Sequence, residues 1–176
     1  TGIRERPWIE DHRNCSDLAT HAPRPALESS GLAPEDLAMF VMGTVSGDCV
    51  LPSGACQIQE NLGAKNAAAF DVNAACTGFL TALHTAQAFI ASGTARNVLA
   101  IGTEALSRIV DKTDRGSAII FGDGAGAAVL RRHEDCGRGE ILKTHLARPG
   151  ETEDQLYVWV PGRKALATAD YYQGFL

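Results

Sequence analysis

FDVNAACTGF, residues 70–79, joins a short apolar run to a helical pattern, and Cys76 stands at the junction. From residue 78 to residue 92, apolar side chains recur at the three- and four-residue intervals that are typical of a buried helical face. A second short apolar run, NVLAIG, follows at 97–102. The order of strand, sharp turn, helix and strand predicts an α/β fold in which a right-handed βαβ crossover carries the cysteine.

Cys76 is placed for reactivity at the predicted start of this helix. The unpaired N–H groups and positive dipole end of a helix N-terminus stabilise an anion, so they favour the thiolate over the thiol. The thiolate is the nucleophilic form of cysteine. The alternative is structural: Cys76 packs as a small hydrophobe, because cysteine is commonly buried. Position alone leaves both interpretations open.

Length and composition indicate one sizeable globular domain. The chain has 176 residues, of which 45% are hydrophobic and 21% are charged. Its 18 glycines and 6% aromatic residues suit an α/β domain with many tight turns. The formal net charge of −5 provides no basic surface, so we do not expect a nucleic-acid partner.

The cysteines argue against a disulfide framework and against structural zinc. There are five, an odd number, they are widely spaced, and no CxxC pair occurs. This usage is typical of a reducing compartment, so the expected location is the cytoplasm. We find no leader sequence and no apolar run of membrane-spanning length, and we predict neither a membrane partner nor a metal site.

The remaining elements follow from apolar runs and helix breakers. Residues 1–15 are predicted to be a loop, and the next helix, which ends at Ser30-Gly31, should be kinked or broken by Pro23 and Pro25. Further predicted elements are a strand at 37–45, a helix at 53–62, strands at 118–121 and 125–132 around a glycine turn, and an edge strand at 140–148.

Three polar features have both a structural and a functional interpretation. The stretch 122–126, GDGAG, lacks the spacing of a dinucleotide-binding loop and precedes a predicted strand, so we favour a structural turn. Glu104 follows the strand at 97–102 and is either a buried acid or, as we favour, an ordinary strand-end carboxylate. His84 lies about 12 Å from Cys76 along the helix, which is too far for a direct base.

Four motifs in order resemble one family. They are TGIRER at 1–6, PSGACQIQENLGAKN at 52–66, FDVNAACTGFLTALHTAQAFIASG at 70–93 and VLAIGTEALSRIVDKTDRGSAIIFGDGAGAAVL at 98–130. Together they are similar to the initiating β-ketoacyl-acyl carrier protein synthases, class III, of the thiolase superfamily. The resemblance implies the N-terminal half of a thiolase-like fold, with a mixed sheet and helices.

The resemblance also implies roles for individual residues. The family's nucleophilic cysteine falls on Cys76, which would accept an acyl group from coenzyme A as a thioester. Arg115, in the TDRG motif, falls where the family packs an arginine against the adenine of coenzyme A. Phe121 and Leu106 fall at the acyl pocket. Leu51 falls where the family sends a side chain across a dimer interface into its partner's pocket, so a homodimer is implied.

Parts of the family's pattern are not found in this sequence. The family completes its site with a histidine and with an asparagine in a GNTSA-like motif, and none of the five histidines here has a matching context. The family's first strand, first helix and coenzyme A-binding tryptophan are also not matched. We therefore expect residues 1–176 to form one N-terminal ketosynthase III-like domain that is incomplete at both ends, with the C-terminal half outside this chain.

The implied reaction is acyl transfer from acyl-CoA to Cys76, followed by decarboxylative condensation with malonyl-acyl carrier protein in fatty-acid or polyketide initiation. Acyl-CoA is then a substrate, and no tightly bound cofactor is expected. The alternatives are a related acyltransferase that moves the acyl group to an alcohol or amine without condensation, a non-catalytic partner subunit, and a cysteine protease. The presence of Cys76 argues against the partner subunit, and no base can be assigned for the protease.

Overall fold

The computed structural model describes residues 2–137 and 141, together with the backbone of three short strands at 144–146, 156–160 and 165–168. In chain order, its helices and strands are α1 (Cys15–His21), α2 (Pro23–Ser30), β1 (Met39–Gly43), α3 (Gly54–Leu62), β2 (Ala68–Val72), α4 (Gly78–Ala91), β3 (Asn97–Ala105), β4 (Asp123–Arg131), α5 (His133–Cys136), β5 (Thr144–Leu146), β6 (Leu156–Val160) and β7 (Ala165–Thr168). No helix among these residues has the length and apolar character needed to cross a membrane.

The main sheet has four strands in the order β2-β1-β3-β4. Strand β1 pairs in parallel with β2 and β3, whereas β4 pairs antiparallel with β3. The chain passes from β1 through α3 to β2, and from β2 through α4 to β3, so a helix connects successive parallel strands. The predicted α/β architecture with a mixed sheet is confirmed, and so is the strand, turn, helix and strand order around Cys76.

Alternate residues of the central strands enter two separate cores. The core beneath α4 contains Met39, Val41, Val98 and Ala100 of the sheet, with Leu80 and Leu83 of the helix. The core on the opposite face contains Phe40, Met42, Leu99 and Ile101, with Ala19, Leu27 and Ile58 of α1, α2 and α3. Successive side chains of a strand point to opposite faces, so a strand covered on both faces needs a continuous apolar run.

The helix predicted to end at Ser30-Gly31 is divided into α1 and α2, as its prolines indicated. Pro23 occupies the first position of α2, where its missing N–H removes no helical hydrogen bond. The helix is capped by Gly31, whose φ of 68° is left-handed and whose N–H donates to the carbonyls of Leu27 and Glu28.

The strand predicted at 118–121 is wrong. These residues form consecutive turns, because the N–H of Ala118 donates to the carbonyl of Asp114, and those of Ile120 and Phe121 donate to the carbonyl of Ser117. Three of the four N–H groups in this stretch are therefore engaged in local turns and are not available for a strand partner.

The glycine turn predicted at 122–126 is also wrong. Strand β4 begins inside it, at Asp123, and pairs with β3 along its whole length, from Asp123 opposite Ala105 to Arg131 opposite Asn97. The strand predicted at 97–102 is correspondingly longer, because antiparallel pairing with β4 extends it to Ala105.

Strands β5, β6 and β7 form a second, antiparallel sheet with β6 in the middle. Strand β5 lies at an edge and falls within the edge strand predicted at 140–148. Apart from β5 and Ile141, that predicted range lies outside the described residues.

Candidate active site

Cys76 is exposed in a 3₁₀ turn, Ala75–Thr77, between β2 and α4. The turn is closed by the N–H and the hydroxyl of Thr77, which donate to the carbonyl of Ala74 at 3.0 and 2.6 Å. The prediction that Cys76 opens the helix is wrong by two residues, because the α-helix begins at Gly78 and Thr77 is its N-cap. The cysteine nevertheless lies beside the helix N-terminus, where an anion is favoured.

Ala75 adopts a strained backbone directly before the cysteine. Its φ is 45°, and among the described residues it is the only one other than glycine with a positive φ. Residues with a side chain rarely adopt this left-handed region, and such strain costs about 1–3 kcal/mol. The surrounding contacts must therefore hold the turn in place.

The closest of these contacts joins two glycines. A Cβ added to Gly43, at the end of β1, would lie 2.3 Å from the carbonyl carbon of Gly78 and 2.4 Å from its oxygen. Real Cβ atoms essentially never show contacts under 3.0 Å, so the end of β1 and the start of α4 can approach this closely only without a side chain. This contact fixes the position of the helix start two residues after Cys76.

Cys76 opens onto a mostly apolar cleft of about 410 Å³. Its walls come from the ends of β1, β3 and β4, from the turn and first residues of α4, and from the segment before β4. The lining residues are Gly43, Val45, Ala75, Cys76, Phe79, Gly102, Thr103, Glu104, Leu106, Phe121, Gly124, Ala125 and Gly126. Among the described residues, no group of three or more His, Cys, Asp or Glu side chains lies close enough together to bind a metal ion.

Three of the five predicted site residues lie together in this cleft: Cys76, Leu106 and Phe121. The other two lie outside its lining. Leu51 is 83% exposed in the loop before α3, and Arg115 is exposed in the turns that lead to Phe121.

Glu104 is a strand-end carboxylate with a positioning function that the sequence did not indicate. It lines the cleft, and its carboxylate oxygens accept hydrogen bonds from the N–H of Val45 at 3.0 and 3.2 Å, from the hydroxyl of Thr44 at 3.4 Å, and from the hydroxyl of Ser46. These bonds fasten the loop after β1 to β3. Val45, itself a lining residue, is thereby held at the cleft.

Asp123 lies at the start of β4, next to the lining residue Gly124. Its carboxylate accepts hydrogen bonds from the N–H and hydroxyl of Ser107, at 2.8 and 2.5 Å, and from the N–H of Ile9 at 2.8 Å. Burial disfavours the charged carboxylate, but these hydrogen bonds and the nearby Arg108 outweigh it and hold the pKa of Asp123 below its usual value. The charged form therefore ties three segments of chain together.

Cys15 differs from Cys76 in its exposure to solvent. It is 3% exposed, and burial, the largest effect, raises the pKa of the Cys15 thiol above its usual value. Its sulfur lies 3.5 Å from the hydroxyl oxygen of Thr103. A buried thiol with a raised pKa is a poor nucleophile, whereas Cys76 is exposed.

Sequence reasoning missed the positioning residues and one wall of the cleft. Phe79 was predicted only as a core residue of the helix, yet it also lines the cleft, and a Cβ at Gly102 would lie 2.7 Å from the Phe79 Cβ. Small residues at Gly43 and Gly78, one ending an apolar run and one following the cysteine, were a signal of close approach. Asp123 gave no local signal, because its partners are distant in the chain.

Comparisons with known proteins give a consistent result. The 3-oxoacyl-[acyl-carrier-protein (ACP)] synthase III family matches residues 70–150. The β-ketoacyl-[acyl-carrier-protein] synthase III of Xanthomonas campestris pv. campestris (strain 8004) is 47% identical over 157 residues, which are 89% of this chain and 47% of that protein. The chain spans about half the length of the curated relatives it matches.

Solved structures agree. The 3-oxoacyl-[acyl-carrier-protein] synthase III of Aquifex aeolicus VF5 superposes with a TM-score of 0.79 at 44% identity, over 85% of this chain and 48% of that one. The priming β-ketosynthase of the R1128 polyketide biosynthetic pathway gives a TM-score of 0.72 at 39% identity, over 74% and 39%. The chain is therefore a homologue of the β-ketoacyl-acyl carrier protein synthases of class III, with a thiolase-like fold, and it corresponds to their N-terminal portion.

Proposed function

We propose that this chain is the acyl-accepting part of an initiating condensing enzyme. Cys76 takes an acyl group from an acyl-CoA thioester and surrenders it to a malonyl thioester on acyl carrier protein, at the start of fatty-acid or polyketide synthesis. One similar structure is the priming β-ketosynthase of a polyketide biosynthetic pathway, which supports including polyketide initiation beside fatty-acid initiation. We propose that the domain spans residues 1–176 and that a C-terminal half outside this chain completes the enzyme.

One observation carries the proposal: Cys76 is exposed in the turn beside a helix N-terminus and lines an apolar cleft. The helix terminus favours the thiolate, which is the attacking species. Phe79, Leu106 and Phe121 supply apolar walls of the kind that accept an acyl chain. Each feature favours acyl transfer to Cys76, and together they distinguish Cys76 from the buried Cys15.

In the first step, the Cys76 thiolate attacks the carbonyl carbon of the acyl-CoA thioester. The tetrahedral intermediate collapses with expulsion of the coenzyme A thiolate, which takes up a proton, and the acyl group remains on the Cys76 sulfur. The backbone N–H of Cys76 is the proposed donor to the oxyanion, because charge that develops on the carbonyl oxygen needs a donor fixed in advance.

In the second step, the malonyl thioester loses carbon dioxide, and its carbanion attacks the carbonyl carbon of acyl-Cys76. The new carbon–carbon bond forms as the Cys76 thiolate leaves. The lining residues of the cleft include no histidine and no asparagine within the part of the chain described here. We therefore propose that the groups that stabilise the carbanion come from the C-terminal half, and that this chain alone stops at the acylated stage.

Arg115 and Leu51 have proposed roles outside the cleft. Arg115 is exposed in the turns that lead to Phe121, and its guanidinium suits stacking on an adenine and pairing with phosphates. Leu51 is 83% exposed, as expected of a side chain that inserts into the pocket of a second copy in a homodimer.

None of the five cysteines forms a disulfide, which supports a reducing compartment such as the cytoplasm.

The test is the intact mass of the purified chain after incubation with acyl-CoA thioesters of increasing chain length. We expect wild type to gain one acyl group and Cys76→Ala to gain none. A second incubation adds malonyl-acyl carrier protein, an alcohol or an amine. The chain alone should form no condensation product. Turnover of malonyl-acyl carrier protein would contradict the proposal that the C-terminal half supplies the groups needed for condensation. Transfer to an alcohol or amine would contradict a condensing function.

A further inference from the structure

The segment 111–121, which carries Arg115 and Phe121, has little apolar burial to hold it. Ile119 and Ile120 are 53% and 50% exposed. Its internal hydrogen bonds are local: the Asp114 carboxylate, for example, accepts from the N–H of Gly116 at 2.9 Å and from the hydroxyl of Ser117 at 2.6 Å. Such bonds shape the turns but do not fix where the segment lies on the fold.

Residues 6–9, which we name the strap, supply that anchorage. The Arg6 guanidinium donates from Nε to the carbonyl of Ile120 at 2.6 Å, and the Trp8 indole N–H donates to the carbonyl of Phe121 at 3.4 Å. Within the described part of the chain, these two side chains make the hydrogen bonds that join segment 111–121 to the strap. Lys112 adds a cation–π contact, with its Nζ 5.0 Å from the centre of the Trp8 ring.

The strap is itself fixed to the start of β4. The N–H of Asp123 donates to the carbonyl of Pro7 at 2.8 Å, and the Asp123 carboxylate accepts the N–H of Ile9 at 2.8 Å. Between them, a Cβ at Gly122 would lie 3.2 Å from the Pro7 carbonyl oxygen, so the two stretches pack closely. The anchorage thus runs from a buried carboxylate, through the strap, to the segment that ends at Phe121.

We propose that Arg6 and Trp8 are positioning residues that hold Phe121, one wall of the cleft, in place and thereby set which acyl groups Cys76 accepts. Where it concerns acylation, this inference rests on the proposed function of Cys76. Neither side chain touches the reacting atoms. A longer acyl chain contacts more of the cleft wall than an acetyl group does, so displacement of Phe121 penalises longer acyl groups more.

The test uses Trp8→Phe, which keeps an aromatic ring for Lys112 and removes the indole donor, and the double variant Arg6→Gln/Trp8→Phe. Arg4→Gln is the matched control: it removes one positive charge from the neighbouring stretch, where Arg4 is exposed. Hydrogen–deuterium exchange of the amides of residues 118–121 is measured first. We expect the double variant to exchange these amides about fivefold faster or more, the factor for losing one modest hydrogen bond, and Arg4→Gln to match wild type.

Acylation is measured next, as the ratio of octanoyl-CoA to acetyl-CoA rates at Cys76. This ratio should fall in the double variant and stay at the wild-type value in Arg4→Gln, a change that a loss of folded protein alone would not produce. Unchanged exchange at 118–121, or an unchanged ratio, overturns the proposal. If wild type accepts no acyl group at all, the proposed function fails, and the exchange rates still decide whether the strap holds the segment. If the double variant does not fold, the amide exchange at 118–121 and the ratio of acylation rates are both measured on Trp8→Phe.

Discussion

Replacing Gly43 with alanine is expected to displace Cys76 without changing any residue of the cysteine's own turn. Gly43 ends β1 and packs directly on the backbone of Gly78, the first residue of α4. An alanine Cβ would lie 2.3 Å from the Gly78 carbonyl carbon and 2.8 Å from its Cα. Both partners are backbone atoms, so no side chain can rotate to relieve the contact.

The size of the effect follows from these distances. To bring the contact from 2.3 Å to the 3.0 Å minimum for real Cβ atoms, the end of β1 and the start of α4 must separate by about 0.7 Å. Overpacking of this kind typically costs about 1–3 kcal/mol of stability. Because misplacing a reacting group by about 1 Å can slow a reaction by about 10²-fold, we expect acylation of Cys76 to slow by about tenfold to a hundredfold.

The assay combines chemical denaturation with the rate of acylation by acetyl-CoA. Gly47→Ala is the matched control in the following loop, because a Cβ there meets only ordinary contacts, at 3.7 and 3.8 Å. The control should keep wild-type stability and rate. Gly43→Ala with both quantities unchanged would refute the conclusion that the glycine contact positions the nucleophile.

Three further predictions concern charge, strain and thiol reactivity. The pKa of Asp123 is lowered in the folded state, so the charged carboxylate stabilises the folded protein above the unfolded pKa of about 3.9. This stabilisation is lost as the pH falls through the folded pKa. Denaturation curves should therefore show that Asp123→Asn loses less stability than wild type between about pH 5 and pH 2. Ala75→Gly should relieve the left-handed strain, and its free energy of unfolding should stay within about 1 kcal/mol of wild type. Ala75→Val should unfold at a clearly lower denaturant concentration. Equal unfolding midpoints for the glycine and valine variants would argue against strain at this position. Iodoacetamide at neutral pH should alkylate Cys76 well before Cys15, as peptide mass mapping can follow, and the reverse order would contradict the contrast in burial.

Much of the fold was predictable because its signals are local. The apolar run at 37–45 contains β1, Pro23 divides the first helical stretch, and the pattern after Cys76 gives α4. Each follows from a periodicity or a breaker that acts over a few residues. The cleft was predictable only through the resemblance, which brought Cys76, Leu106 and Phe121 together from separate parts of the sequence.

The errors have two physical causes. Residues 118–121 are apolar enough for a strand, but the Asp114 and Ser117 carbonyls accept three of their four N–H groups in local turns. The glycines of 122–126 suggest a turn, yet pairing with β3 extends β4 through them. Distance along the chain is the second cause, and it also explains why Glu104 and the strap were underestimated. Their hydrogen-bond partners lie far away in the sequence, and local patterns carry no information about them.

The central claim is that Cys76 is the acyl-accepting nucleophile, and site-resolved acylation tests it most directly. Cys49 is the other exposed cysteine and provides the matched control. After incubation with acetyl-CoA, peptide mapping of wild type and of Cys49→Ala should find one hydroxylamine-labile acetyl group on the peptide that contains Cys76, and Cys76→Ala should carry none. Acetylation of Cys49 instead, or acetylation that persists in Cys76→Ala, would contradict the account.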